Sequence, residues 1–165
     1  MADIDMISNE CQPNVMGFTE LKSWLRHRHP MVYLDRVVDY EPGEYLHSLM
    51  AVSGQLDALA GHFPERAVFP ASHMVQAAAQ SAIILYQLST SRLTDDEITL
   101  IGSMKSRFTQ IVVPGDRVMF KTRVESLNTD FLSFGCAMEV DGVSVGTLKG
   151  SLIRKNISDL GRQLW

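Results

Sequence analysis

The apolar positions of this chain change period several times, and the changes mark out its elements. From Gly17 onward, Phe18, Leu21, Trp24 and Leu25 recur at helical spacing, with Thr19 placed to cap a short helix. "MVYLDRVVDY", 31–40, reads as a strand rich in Val and Tyr, closed by the turn Glu41-Pro42-Gly43. "EYLHSLMAV", 44–52, follows as a second strand. Residues 53–70 hold Gly54, Gly61, Pro64 and Pro70 and read as irregular. Ala71 to about Ser89 then predicts one long helix with an alanine-rich middle, capped by Ser72 or the residue before it. Beyond a polar loop come four strand-like runs: 98–108, 117–127, 131–140 and 143–153. Pro114-Gly115-Asp116 separates the first pair, and Asp141-Gly142 is a strong hairpin signal between the last.

This order predicts an α+β domain, with one helix offered to a single curved antiparallel sheet. Its bounds are 17–158, between an N-terminal tail at 1–16 and a C-terminal tail at 159–165. A helix that is apolar nearly all round needs cover on every side, and one sheet supplies only part of it. Pairing of two copies is therefore expected, with the polar positions of the helix at or near their interface.

Composition narrows the class. Hydrophobic residues make up 45% and charged residues 21% of 165 positions, as in soluble globular proteins. A formal charge of −4 argues against a general nucleic-acid binder. The basic clusters Arg26–His29, Lys105–Arg107, Lys121–Arg123 and Arg154-Lys155 read as solvated surface charge. Cys11 and Cys136 form no disulfide framework and have no zinc-type spacing with histidine, so no metal is expected; Cys136 reads as core filler. The acidic start "MADIDMISNE" is unlike a signal peptide, and no apolar run reaches membrane-spanning length, so a cytoplasmic protein is expected.

Candidate chemistry gathers in "GHFPERAVFPASHMVQAAAQ". His62 sits on a loop stiffened by Pro64, just before the long helix, where a histidine can act as a base near neutral pH. The start of that helix offers unpaired backbone N–H groups and a positive dipole end, suited to a developing oxyanion. His73, Gln76 and Gln80 fall at i, i+3 and i+7 and share one face. Taken alone, such groups are more often structural, and for Gln80 that reading is preferred. His29 and His47 carry no assigned chemistry, and Glu65 reads as solvated loop charge.

Three stretches give this region a family. "HRHPMVYLDRV", "GHFPERAVFPASHMVQAAAQ" and "RFTQIVVPGDRV", in this order, resemble the signature regions of the FabZ/FabA-type 3-hydroxyacyl-carrier-protein dehydratases. The resemblance covers about Leu21 to Leu152. It implies a hotdog fold, a homodimer that can assemble into a trimer of dimers, and a substrate held on the phosphopantetheine of an acyl carrier protein, with no further cofactor. It implies loss of water from a 3-hydroxyacyl thioester to give the trans-2-enoyl thioester, in fatty-acid or polyketide synthesis; dehydratases of the coronafacic-acid type are one such branch. His62 then takes the base position and the N–H of Ala71 the oxyanion position. Phe63, Pro70 and Gln80 line the substrate side.

The resemblance also implies a carboxylate on the central helix of the other subunit that protonates the leaving hydroxyl; its position falls on Gln76, which has no proton to donate at neutral pH. Three alternatives follow. His62 removes the α-proton and returns it to the departing hydroxyl, with Gln76 orienting the leaving group. His73, one turn earlier, supplies the proton. Or the chain binds acyl thioesters without turning them over, alone or beside an active partner subunit. A hotdog thioesterase is a further reading, weakened by the same missing carboxylate.

Overall fold

Six strands form one antiparallel sheet whose spatial order, β1-β2-β4-β5-β6-β3, departs from chain order at one place. The computed structural model describes residues 14–161. Its strands are β1 (Arg36–Glu41), β2 (Tyr45–Ala51), β3 (Glu97–Phe108), β4 (Arg117–Leu127), β5 (Phe131–Val140) and β6 (Val143–Asn156). Between β2 and β3 the chain forms two helices, α2 (Ala58–Gly61) and α3 (Ala71–Ser89), after an initial α1 (Phe18–Ser23). The chain thus leaves β2, crosses the sheet as α3, and lands on the far edge as β3 before β4 returns beside β2. An antiparallel sheet around one long central helix is the hotdog fold expected from the sequence.

The strands alternate as a sheet with one covered face should. In β2, Leu46, Ser48 and Met50 are buried, and in β5 Leu132, Phe134, Cys136 and Met138 are. Asp141 (φ 49°) and Gly142 (φ 79°) are both left-handed, as a tight hairpin between β5 and β6 requires. Every residue of α3 from Ala77 to Gln87 is buried. Serine and glutamine on that buried length need partners, and each finds one. Ser81, fully buried, accepts from Ser48 Oγ on β2 and Thr122 Oγ1 on β4, both at 3.0 Å, and so fixes the helix against two neighbouring strands.

Several expectations change. Met16, assigned to the N-terminal tail, is 1% exposed and pairs with Val37, so it belongs to the core; the rest of that tail and Cys11 lie largely outside the described residues. Neither Thr19 nor Ser72 caps a helix. The caps are Gly17 and Pro70, with no side-chain cap bond. The segment at 31–35 is not strand: Met31 O and Tyr33 N bond to the side chain of Gln80, and of the segment's backbone groups only Asp35 N reaches β2, donating to Leu49 O at 2.8 Å. Residues 53–70 include α2, a helix too short to register as a period. Helix α3 is enclosed past Gln76 by the single chain: residues 24–33 cross it opposite the sheet, so a second copy is not needed to bury it.

Arg154 overturns the reading of its cluster as solvated charge. It is 7% exposed and meets Glu97 through Nε at 3.0 Å, Ser91 O and Oγ at 3.1 Å, and Arg92 O at 2.9 Å. A buried guanidinium with all these partners staples the loop after α3 to the far edge of the sheet. Hydrogen bonding from Arg154 holds the Glu97 carboxyl down at about 2. With its folded pKa depressed, Glu97 contributes stability that is present above the ordinary glutamate range and lost as pH falls towards about 2. Acid titration followed by circular dichroism should show a flatter acid limb in Glu97→Gln than in the wild type. Ser81→Ala strands two core hydroxyls and should lower unfolding free energy by about 1–3 kcal/mol in urea titration.

Candidate active site

His62 ends α2, and its imidazole is tied back to the loop that follows. Nδ1 lies 2.8 Å from Val68 O, and Val68 N donates to His62 O at 3.1 Å. A carbonyl only accepts, so Nδ1 carries the proton and Nε2 of the neutral ring is left with a free lone pair. Phe63 stacks on the imidazole with centroids 4.3 Å apart and is itself half exposed. Phe63 and Arg66 exchange backbone bonds at 3.1 and 3.3 Å, closing the loop between them. Phe69 N donates to Val112 O at 2.7 Å, which anchors the far end of the loop. That anchor depends on the third sequence motif. Asp116 Oδ2 accepts from Val113 N at 2.9 Å, and Gly115, at φ 100°, donates to Val52 O.

The loop runs into α3 at Pro70. Pro70 O accepts from His73 N at 3.0 Å and Met74 N at 3.4 Å, so Ala71 and Ser72 keep the unpaired N–H groups of the first turn. Both residues are exposed, while Pro70 is buried. The arrangement gives a fixed imidazole on the loop that leads into a pair of free donors.

The stripe on α3 divides into two parts. His73 packs edge-on against Tyr33 at 5.0 Å and beside Phe69 at 5.7 Å, and its Nδ1 is buried without a partner. Burial, with a smaller contribution from the neighbouring His62, lowers its pKa and favours the neutral ring. Gln76 is partly exposed, and its amide takes no part in the hydrogen bonds found among the described residues. Gln80, in contrast, is fully buried and fully engaged. Its Nε2 donates to Met31 O at 2.6 Å, and its Oε1 accepts from Tyr33 N at 3.0 Å. Gln87 repeats the device, donating to Trp24 O at 2.7 Å and accepting from Leu93 N at 3.0 Å.

Residues 24–33 therefore form a strap antiparallel to α3: Trp24 at Gln87, Met31 and Tyr33 at Gln80, and Tyr33 again at His73. The structure brings His62, Phe63, Pro70, Ala71, His73 and Gln76 to one end of α3 and gives Gln80 a positioning role beneath them. Tyr33, Val68 and Gln87 escaped the sequence reading. Only Gln87 left a signal there, as it lies seven residues beyond Gln80 on the same helix line. Glu65 is exposed, and His47 lies on β2 with its Nε2 buried and unpartnered. No group of three metal-ligating side chains stands together, and no helix is long and apolar enough to cross a membrane, among the described residues.

The fold is that of a hotdog protein, with a histidine loop leading into the start of its central helix. Residues 25–149 match the FabA-like domain family. The chain is 71% identical over 150 residues to coronafacic acid dehydratase of Pseudomonas savastanoi pv. glycinea, covering 91% of each. It is 32% identical over 148 residues to the 3-hydroxyacyl-[acyl-carrier-protein] dehydratase FabZ of Shewanella woodyi, covering 89% of this chain and 97% of that one. Among solved structures, a chain of the dehydratase heterocomplex ApeI:P from Xenorhabdus doucetiae shares the fold with a TM-score of 0.70 at 15% identity, covering 85% of this chain and 93% of that one. A thioesterase from Haemophilus influenzae shares it with a TM-score of 0.62 at 9% identity, covering 89% and 96%. The chain belongs to the FabA/FabZ-type dehydratase family and is an enzyme of the hydro-lyase class.

Because Gln80 satisfies a carbonyl and an N–H of the strap at once, Gln80→Leu strands both. The expected loss is about 1–3 kcal/mol for each group left unpaired, read as a lower denaturation midpoint.

Proposed function

We propose that this enzyme removes water from a 3-hydroxyacyl thioester carried on acyl carrier protein, giving the trans-2-enoyl thioester, with His62 as base. The observation that carries this reading is the bond from His62 Nδ1–H to Val68 O, which makes Nε2 the acceptor of the neutral ring, on the loop that runs into the free N–H groups of Ala71 and Ser72. In the reaction, Nε2 takes the α-proton and the electron pair moves through the enolate, whose oxygen accepts from Ala71 N–H. The pair then forms the Cα–Cβ double bond as the C–O bond breaks. The imidazolium returns its proton to the departing hydroxyl, which leaves as water. The partner subunit's Gln76 orients that hydroxyl, and Phe63 and Pro70 wall the thioester end.

His73 suits a different task. Burial and the nearby His62 disfavour its charged form, so it holds few protons to give at neutral pH. Its packing on Tyr33 and Phe69 fits a wall of the pocket. The substrate class is that of the curated relatives, a carrier-bound 3-hydroxyacyl group in fatty-acid or polyketide assembly, and the 71% identity to a coronafacic acid dehydratase favours the polyketide side. Two copies joined through β3 complete the reading. β3 is an edge strand, with Leu100 39% and Ile101 49% exposed and no partner on its outer side among the described residues. A trimer of such dimers is the larger assembly consistent with it.

A second reading rests on Gln76 itself. Without a helix acid, the fold can serve as an acyl-thioester binder or as the partner of an active subunit. Mass spectrometry of carrier-bound 3-hydroxyacyl substrates separates the two. The dehydratase reading expects enoyl product from the wild type, a loss of about 10²–10⁴-fold in His62→Ala, and a smaller loss in His73→Phe. Activity that survives in His62→Ala defeats the base assignment. A wild type that is silent and stays silent in Gln76→Glu defeats the dehydratase reading in favour of the binder, whereas a silent wild type that Gln76→Glu awakens marks a dehydratase that has lost its acid.

A further inference from the structure

On one face of the first turns of α3 stand two polar side chains with no hydrogen-bond partner among the described residues, His73 and Gln76. They are three residues apart, so they are neighbours on the helix surface. Side chains on a helix lean towards its N-terminus, which carries the amide of Gln76 back over the turn that holds His73. Tyr33 at 5.0 Å and Phe69 at 5.7 Å hold the imidazole between them. Its two nitrogens differ in surroundings: Nδ1 is sealed in without a partner, whereas Nε2 keeps accessible surface.

That difference selects the tautomer. A hydrogen on Nδ1 would be a buried donor with no acceptor, a costlier orphan than an unused lone pair. Burial also holds the ring neutral. The single ring hydrogen therefore belongs on Nε2, and His73 offers its helix neighbour a donor and no acceptor.

An amide at position 76 needs such a neighbour. Its donor end and its acceptor end have nearly the same shape, so an isolated glutamine does not choose between them. A carboxylate, with two equivalent oxygens, has no such choice to make. Oxygen leaving a substrate gathers negative charge, and only the NH2 end can meet it. The Nε2–H of His73 can bond only Oε1, and that bond turns the amide nitrogen outward. Ser72, four residues before Gln76, does not make this selection, because a hydroxyl both donates and accepts.

We propose that His73 is a positioning residue for Gln76: its Nε2–H holds Oε1, so that the amide NH2 faces the departing hydroxyl. This rests on the dehydratase reading for what the amide faces, whereas the pair lies within one helix and is observable without turnover. It forms whichever copy's His62 the amide serves.

Two measurements on the full chain test it. The first records imidazole nitrogen resonances in the wild type and in Gln76→Ala. His73 should be the Nε2–H tautomer at neutral pH, and its Nε2 proton should exchange with water about fivefold faster in Gln76→Ala. An Nδ1–H tautomer, or exchange that Gln76→Ala leaves unchanged, overturns the pair. The second follows conversion of a carrier-bound 3-hydroxyacyl thioester. Releasing one rotamer-rich side chain from its anchor should lower kcat about tenfold in His73→Leu, with KM within about twofold. In the Gln76→Ala background His73→Leu should cost nothing further, whereas a purely structural role would cost the same in both. A wild-type kcat in His73→Leu, or an undiminished loss in the Gln76→Ala background, overturns the positioning role. A chain that shows the tautomer and the exchange difference but converts no thioester overturns the dehydratase reading and upholds the pair.

Discussion

Helix α3 is surrounded by the rest of the protein from Ala77 to Gln87, and the polar groups on that length must be answered from outside the helix. Each answer ties one more piece of the chain to it. Ser81 takes hold of β2 and β4. Gln80 and Gln87 take hold of the strap, and Gln87 also holds the loop after the helix. An all-aliphatic helix of the same volume would bury as well, but it could slide or rotate in its groove. These matched pairs give it one position, and the loop bearing His62 inherits that position through Pro70.

The first two turns of α3 are under a different regime. Ala71 and Ser72 are exposed, and Gln76 is partly exposed with an uncommitted amide. Here the helix is not answered among the described residues, and here the proposed chemistry lies. The imidazole of His62 is an intermediate case: one nitrogen is spent on Val68 O to fix the ring, and the proposed reaction uses the other. In that reading, tightly matched groups supply geometry, and unmatched groups a few residues away supply reactivity.

Much of this could be read from the sequence because local chemistry dictates it. Helix α3 spans Ala71–Ser89 as its apolar pattern and flanking Pro70 predict, and Asp141-Gly142 makes the hairpin its residues favour. The site loop was legible from its motif. The strap was not. Residues 31–34 have the composition of a strand, but the distant amide of Gln80 takes up the backbone groups of Met31 and Tyr33. The same holds for Arg154, whose surroundings at Ser91, Arg92 and Glu97 are far away in the chain. The polar stripe misled in an informative way: its spacing was read correctly as one face, but half of it proves to be scaffold.

That division has an evolutionary side. Gln76 is neither fully buried nor hydrogen-bonded among the described residues, so its replacement disturbs little of what keeps the described fold together. Glutamine and glutamate codons differ by a single base. A lineage can therefore exchange amide for carboxylate at this position in one step and with little structural penalty. Gln80, four residues away and chemically identical, has no such freedom. The catalytic repertoire of the fold can drift at one end of a helix while the other end stays locked.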